Sequence, residues 1–251
     1  MTIPLQTGIV YGPIESRRFG RSLGVNLLPT GKKLCNFDCT YCQYGAAIPL
    51  EDSFLPSCKE IEEALEEFSS DPGGHLDWIM ISGNGEPTLH PDFPAIVDEL
   101  KKWRDHRSVG VPIGVLSNSS TCHRPVIQDT LAKLDGRFMK LDAGNERIFW
   151  RMNKPDHRWA DIITGLFHLK KVVIQSLFVQ GGVDNISPES LDDWMQTVAY
   201  IHPEKVQIYT LDRPPKDEGL ESVSFEKLQE IRDRLVSERG ISAEVFSEKK
   251  A

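Results

Sequence analysis

Two kinds of hydrophobic pattern alternate along this chain. Short runs of consecutive apolar residues, bounded by Gly, Pro or polar residues, are typical of buried β-strands. Between them lie stretches in which apolar residues recur every three or four positions, as in an amphipathic helix. The runs predict six strands: Leu23–Leu28, Asp77–Ser82, Ile113–Leu116, Phe138–Leu141, Val172–Val179 and Lys205–Leu211. Ile241–Phe246 has the composition of a short additional strand.

Capping residues mark the ends of several predicted helices. Ser57 and Glu60 form a capping-box signature in front of a periodic apolar stretch. Ser187 followed by Pro188 predicts another helix start, and that helix is expected to end near Ile201. The remaining helices are expected over Phe93–Trp103, Ile127–Leu134 (closed by Gly136), Trp159–Leu169 and Ser224–Gly240.

The order of these elements predicts an α/β fold. Six strand–helix units in alternation imply a parallel sheet with right-handed helical crossovers, and they are fewer than the eight units of a closed barrel. We therefore expect an open, partial (β/α)6 barrel, with a doubly wound open sheet as the alternative. Residues 1–251 are expected to form one domain, with an N-terminal segment (1–21) and a C-terminal helix and strand (224–251). In either architecture, ligands bind at the carboxyl ends of the strands.

The composition excludes several classes of protein. The chain has 251 residues and a formal net charge of −8, and its 39% of hydrophobic residues is enough for a packed core. The longest apolar runs, such as Trp78–Ile81, span four residues, so neither a membrane-spanning segment nor a membrane partner is expected. No signal-peptide pattern precedes the first strand, and the expected location is the cytoplasm.

One basic segment stands out in this acidic chain. Between Ser16 and Cys35 there is no Asp or Glu, and the positive residues are Arg17, Arg18, Arg21, Lys32 and Lys33. A solvated basic loop is one interpretation. The other is a site for an anionic substrate, since Arg and Lys bind phosphate and carboxylate groups. The overall acidity argues against a surface devoted to nucleic acid.

Three cysteines follow the first predicted strand within eight residues. Cys35, Cys39 and Cys42 have the spacing C-x3-C-x2-C, so their sulfur atoms can converge on one metal centre. A structural zinc site normally has four protein ligands and a ferredoxin cluster has four cysteines, whereas this run offers three. A [4Fe–4S] cluster held by three cysteines leaves one iron open for a substrate or cofactor. The other cysteines, Cys58 and Cys122, are expected to be small buried hydrophobic residues.

A second motif lies at the end of the next predicted strand. The sequence Ser82-Gly83-Asn84-Gly85-Glu86-Pro87 follows a buried apolar run. Glycines at a strand end allow a ligand to approach the backbone closely, and the Glu86 carboxylate can accept hydrogen bonds from an ammonium group. On its own, this motif is also compatible with an ordinary turn.

Together the two motifs resemble those of the radical S-adenosylmethionine (radical SAM) superfamily. Tyr41 matches the aromatic position before the third cysteine, and Gly83–Glu86 resembles the family's Gly-Gly-Glu motif with Asn84 inserted. The resemblance implies an enzyme in which the three cysteines ligate a [4Fe–4S] cluster and the open iron binds S-adenosylmethionine. In the family, the reduced cluster cleaves this cofactor to a 5′-deoxyadenosyl radical, which abstracts hydrogen from a substrate. The implied cofactor-binding residues are Tyr41, Gly83, Asn84, Gly85 and Glu86.

Polar residues at two further strand ends are candidates for the same cofactor site. Lys140 is a candidate to meet the cofactor carboxylate, and Asn118 or Asp142 to meet the ribose hydroxyls. Turn formation, or an ion pair at the edge of the core, would explain these residues equally well.

The N-terminal segment extends the resemblance to one branch of the superfamily. Tyr11–Pro13, Ser16–Arg18, Gly20–Asn26 and Tyr209–Pro215 are similar to the wyosine-synthase-like (4-demethylwyosine synthase-like) branch. Members that make 4-demethylwyosine act on a guanosine of tRNA and carry a second cysteine triad, which this chain lacks.

The sequence therefore leaves several candidates for the substrate and the partners. The candidates for the substrate are a small anionic metabolite, a tRNA base and a partner protein that receives a radical. An electron donor of the flavodoxin or ferredoxin type is expected. A non-enzymatic iron–sulfur electron carrier is the alternative from another functional class.

Overall fold

The computed structural model describes residues 3–48, 54–68, 75–107 and 110–247. Its strands are β1 (Val10–Ser16), β2 (Gly20–Val25), β3 (Trp78–Ile81), β4 (Ile113–Ser117), β5 (Gly136–Lys140), β6 (Val172–Leu177), β7 (Val179–Gly181), β8 (Lys205–Tyr209), β9 (Leu220–Ser222) and β10 (Ala243–Phe246). Its helices are α1 (Cys58–Phe68), α2 (Phe93–His106), α3 (Pro125–Ala132), α4 (Glu146–Asn153), α5 (Trp159–His168), α6 (Pro188–Ile201) and α7 (Phe225–Arg239).

Eight of the strands form one sheet in the order β1-β2-β3-β4-β5-β6-β8-β10. All neighbours from β2 to β10 are parallel, and β1 runs antiparallel to β2 at the edge. The sheet curls into an open half-barrel with helices packed against it, which confirms the predicted fold class. No helix in the described ranges is long and apolar enough to cross a membrane.

The hydrophobic pattern located the strands and most of the helices. Each of the six predicted strands is present, with its ends shifted by up to three residues. The predicted caps form as expected: the side-chain oxygens of Ser187 and Ser224 accept hydrogen bonds from the backbone N–H groups of Ser190 and Lys227. Ser57 and Glu60 also form the reciprocal bonds of a capping box.

Three parts of the fold differ from the sequence interpretation. Seven residues of the N-terminal segment form strand β1, which the sequence analysis did not predict because its burial is irregular and a bulge lies between Tyr11 and Ile14. Helix α4, which has eight residues, was also not predicted. The short antiparallel pair β7–β9 was missed because each strand has only three residues.

Gly136 was expected to close a helix, but it begins strand β5. A Cβ atom at this position would lie 2.6 Å from a ring atom of Phe138 and 2.8 Å from the ring of Trp78. The glycine thus makes room for aromatic side chains on the inner face of the half-barrel. There Phe19 packs edge to face on Phe138, with ring centroids 4.5 Å apart. This inner cluster is separate from the larger core that joins the sheet to the helices.

Candidate active site

A cleft of about 550 Å³ opens at the carboxyl ends of the parallel strands. Its walls come from the β1–β2 hairpin, from residues 33–45, which we call the cysteine loop, and from the ends of β3, β5 and β8. Residues that line it include Ser16, Arg18, Tyr41, Cys42, Ser82, Gly83, Gly85, Lys140, Tyr209 and Arg213. The position agrees with the rule that ligands bind beyond the carboxyl ends of parallel strands.

The cysteine loop is held against the end of β3 by backbone pairing. Leu34 N–H donates to the Asn84 carbonyl at 2.8 Å, and Glu86 N–H donates to the Leu34 carbonyl at 3.0 Å. Gly85 lies between them with φ +142°, and a Cβ atom there would be 1.7 Å from the Leu34 oxygen. Glycine is therefore required because the chain's own backbone approaches so closely. Gly85 thus serves the packing of the cysteine loop, and both Gly83 and Gly85 also line the cleft.

The opposite side of the cysteine loop is anchored to helix α4. Asp38 N–H donates to the Asn153 carbonyl at 3.1 Å, and Thr40 N–H donates to the Met152 carbonyl at 2.8 Å. The C-terminal end of α4 thus supplies carbonyl groups that its own backbone cannot use. Hydrogen bonds within the protein therefore fix the cysteine loop on both sides.

Amide groups point at two of the three sulfur atoms. Cys35 Sγ accepts hydrogen bonds from the Phe37 backbone and from Asn118 Nδ2, both at 3.5 Å. Cys39 Sγ accepts one from Asn153 Nδ2 at 3.4 Å. Burial raises the pKa of Cys35 to about 12 and also raises the pKa of Cys39, so a bound cation is needed to make these thiols anionic at neutral pH.

This set of donors fits an iron–sulfur cluster. In the described residues, no three Cys, His, Asp or Glu side chains are grouped to hold a single metal ion. A zinc site would need its sulfur ligands to meet at one atom, about 2.3 Å from each of them. The ligands of a cluster instead bind different irons, and hydrogen bonds to the sulfurs are a usual part of such sites. The cleft also reaches Cys42, so a ligand in it can contact the cluster position.

Two residues predicted to bind cofactor lie behind the wall of the cleft. Asn84 is completely buried, and its side chain bonds to both backbone groups of Gln6 and to the Pro29 carbonyl. The Glu86 carboxylate accepts hydrogen bonds from Thr88, from Ser117 Oγ at 2.9 Å and from Asn118 N–H at 2.5 Å. Burial raises the pKa of Glu86. Both side chains hold the strand end in place.

Lys140, Asp142 and Tyr41 form one polar cluster with Tyr209. Lys140 Nζ lies 2.9 Å from Asp142 and donates to the Tyr209 hydroxyl at 2.5 Å. Tyr41 donates its hydroxyl to Asp142, which also accepts from Leu177 N–H at 2.8 Å. Burial opposes the charge on Lys140, but Asp142 and Tyr209 raise the pKa of its ammonium group overall. Lys140 and Tyr41 face the cleft, whereas Asp142 is buried beneath them.

Asn118 lies beside the cysteine loop rather than in the cleft wall. Its Nδ2 donates to Asn36 Oδ1 at 2.9 Å as well as to Cys35. The structure therefore brings Tyr41, Gly83, Gly85 and Lys140 to the cleft together with Cys42. Four other predicted residues lie behind the cleft wall and bond to the chain around it: Asn84, Glu86, Asn118 and Asp142. Motif spacing could not show which residues line the cleft and which lie behind it.

The basic segment does not form one patch. Arg17 is paired with Asp212. Arg21 lies at the amino ends of the strands, where its backbone N–H donates to the Asp77 carboxylate. Lys33 is buried beside the cysteines, whereas Lys32 is exposed. Arg17 and Arg18 both line the cleft, and the Arg18 guanidinium lies 4.6 Å from the centroid of the Tyr209 ring. Its Nη1 is buried and has no hydrogen-bond partner among the described residues.

Sequence reasoning missed two aromatic residues of the cleft. Tyr209 was quoted only as part of a motif, yet it contacts both Lys140 and Arg18. Tyr11 packs its ring where a Cβ of Gly24 would be, and its hydroxyl lies 2.7 Å from Ser82 Oγ. Burial raises the pKa of Tyr11 to about 12. The position of Tyr209 at a strand end was the signal that pointed to it.

An open parallel half-barrel with a three-cysteine loop beside its cleft defines an iron–sulfur enzyme fold. The profile of the radical SAM superfamily matches residues 33–201, which is more than half of the chain. The chain belongs to the radical SAM superfamily. It is therefore an enzyme that uses a [4Fe–4S] cluster and S-adenosylmethionine.

Two relatives extend the similarity beyond this region. A protein described as UPF0026 protein from Helicobacter pylori is 32% identical over 213 residues, covering 82% of this chain and 67% of that protein. A protein described as GTPase Obg from Brachyspira hyodysenteriae is 27% identical over 250 residues, which make up 97% of this chain and 36% of that protein. The chain therefore spans only part of that relative's length.

Solved structures share the fold at low sequence identity. SuiB from Streptococcus suis, bound to its precursor peptide SuiA, superimposes with a TM-score of 0.67 at 13% identity, over 89% of this chain and 48% of that chain. TYW1 with a lysine-pyruvate adduct bound gives a TM-score of 0.61 at 14% identity, over 86% of this chain and 73% of that chain. These similarities concern the fold and leave the branch and the substrate open.

Substitution of Gly85 tests the docking of the cysteine loop. In Gly85→Ala the new methyl group would collide with the Leu34 carbonyl, so the loop should not seat properly. We expect iron content after anaerobic reconstitution to fall from about four to less than about one iron per chain. In the control Gly182→Ala, the nearest atom would be 3.6 Å from the new Cβ, and iron uptake should be normal. Normal iron content in a folded Gly85→Ala protein would contradict this account.

Proposed function

We propose that Cys35, Cys39 and Cys42 hold the [4Fe–4S] cluster and that the cleft beside Cys42 binds S-adenosylmethionine. The observation that supports this assignment is that Tyr41, Gly83, Gly85 and Lys140 line the same cleft as Cys42. When bound, the cluster and S-adenosylmethionine supply a 5′-deoxyadenosyl radical that abstracts hydrogen from a substrate. The protein contributes binding, orientation and exclusion of water.

Individual residues have separate tasks in this proposal. Lys140 presents a protonated amine to the cleft, fixed by Asp142 and Tyr209, and suits a cofactor carboxylate. Gly83 and Gly85 leave backbone groups open to the methionyl part of the cofactor. Asn84 and Glu86 act as positioning residues, since both side chains are buried behind the cleft wall and bond to distant parts of the chain.

We propose that the substrate carries a phosphate or carboxylate group, which Arg18 binds. A buried guanidinium N–H without a partner is costly, and an anionic ligand in the cleft would satisfy it. A cation–π contact with the Tyr209 ring holds the guanidinium in the cleft, and an Arg side chain can bind phosphate or carboxylate through two N–H groups. Arg17 is a poor candidate because Asp212 already neutralises it.

A tRNA base is the second candidate substrate. The motifs similar to the wyosine-synthase-like branch supply five lining residues of the same cleft: Tyr11, Ser16, Arg18, Tyr209 and Arg213. This grouping favours membership of that branch. The net charge of −8 favours a small anion over a large RNA. A flavodoxin- or ferredoxin-type donor would supply the electron, and a reducing compartment such as the cytoplasm suits the free thiols.

Replacement of single cysteines tests the cluster assignment. Cys35→Ala, Cys39→Ala and Cys42→Ala should each lose the cluster and the formation of 5′-deoxyadenosine, because each variant leaves two ligands for the cluster. The controls Cys58→Ala and Cys122→Ala should keep both, since Cys58 lies on helix α1 and Cys122 is buried in the outer core. Iron and sulfide analysis with chromatography of the nucleoside products measures the outcome. Stoichiometric zinc without iron uptake in the unmodified protein would overturn the assignment.

Neutralising Arg18 tests the substrate class. A hydrogen bond to a charged group is worth about 1.5–3 kcal/mol, so Arg18→Gln should raise the KM for an anionic substrate roughly 10- to 100-fold. Arg17→Gln is the matched control and should stay near the wild-type value.

The assay compares coupled product and 5′-deoxyadenosine formation across phosphorylated metabolites, carboxylated metabolites and tRNA. Activity on tRNA alone, with a steep salt dependence, would favour the second candidate. Equal KM values for Arg18→Gln and wild type would refute the role of Arg18.

A further inference from the structure

Lys33 is a buried cation that forms no ion pair with a carboxylate of the described residues. Its residue is only 4% exposed, and its Nζ donates to the Gly45 carbonyl at 2.9 Å. Within the described ranges, no Asp or Glu lies within ion-pair distance of this ammonium group. Burying an unpaired ammonium is expensive, so a negative group is needed nearby.

The start of the cysteine loop, at Lys33, pairs with the chain that follows the end of the loop. Ile48 N–H donates to the Lys33 carbonyl at 2.8 Å, and Leu34 pairs in parallel with Ile48. The segment after Cys42 therefore returns along the segment before Cys35. As a result, the ammonium group is buried beside the cysteine loop, where the carbonyl of Gly45, three residues after Cys42, holds it. At this position burial opposes the charge, but the three cysteines raise the pKa of Lys33.

The negative groups that act on Lys33 are the three cysteine sulfurs and Asp38, and Asp38 is already paired with Lys216. A cluster with three thiolate ligands is anionic, and its one-electron reduction by an external donor adds a further negative charge without changing a bond in the protein. A fixed positive charge in a poorly solvated position favours the more negative state. Net charge and hydrogen bonds at the sulfurs are known determinants of cluster potential.

We propose that Lys33 is a positioning residue for electron transfer, whose positive charge stabilises the reduced cluster and raises its reduction potential. The proposal rests on the cluster assignment made above. It assigns a role to Lys33, a member of the basic segment that does not line the cleft. It also separates Lys33 from its neighbour Lys32, which is exposed and whose charge is screened by water.

The test compares three variants after anaerobic reconstitution. Lys33→Met removes the charge, Lys33→Arg keeps it, and Lys32→Met is the matched control at an exposed position. Iron and sulfide content is measured first. The reduction potential is then determined without S-adenosylmethionine or substrate, by redox titration followed with electron paramagnetic resonance. A purely structural role would not shift the potential according to charge.

We expect Lys33→Met to shift the potential to more negative values, while Lys33→Arg and Lys32→Met stay close to wild type. Loss of the cluster in Lys33→Met with retention in Lys33→Arg would also support a requirement for positive charge. An unchanged potential in a fully loaded Lys33→Met protein would overturn the proposal, as would loss of the cluster in both Lys33 variants. Failure of the wild-type protein to bind a cluster would instead refute the cluster assignment.

Discussion

The close approach of Leu34 to Gly85 is the constraint on which the site depends. The two backbone bonds that join Leu34 to Asn84 and Glu86 fix the cysteine loop on the end of β3. They can form only where residue 85 has no side chain. The same glycine borders the cleft, so the position of the sulfur atoms and the shape of the cofactor site are set by one contact. Asn84 and Glu86, whose side chains tie this strand end to its surroundings, protect that contact.

The pattern of apolar residues was sufficient to predict the half-barrel. Its strands are buried on both faces and therefore appear as continuous apolar runs. Three of its longer helices have clear caps, at Ser57, Ser187 and Ser224. The missed elements are short or lie at an edge, where periodicity carries little information. Gly136 was misread because a glycine after a helical stretch usually ends the helix. Its actual role, making room for Trp78 and Phe138, depends on contacts between strands.

The sequence identified the chemistry of the site better than its geometry. Spacing was enough to single out the three cysteines, and strand ends pointed to Gly83, Gly85 and Lys140. The motif could not tell which of its residues face a ligand, because Asn84 and Glu86 find their partners in distant parts of the chain, at Gln6 and Ser117. Charge counting likewise treated Arg17, Arg18 and Lys33 as one group. In the structure, Arg17 is paired with Asp212, and Arg18 lies over the Tyr209 ring in the cleft. Lys33 is buried beside the cysteines.

The central claim is that a cluster held by three cysteines binds S-adenosylmethionine directly through an open iron at the edge of this cleft. The most direct measurement is electron–nuclear double resonance of the reduced cluster with S-adenosylmethionine that carries 15N in its amino group. The account predicts a 15N coupling to the cluster spin that is absent with the unlabelled cofactor. A fully reduced cluster with bound S-adenosylmethionine and no 15N coupling would contradict it.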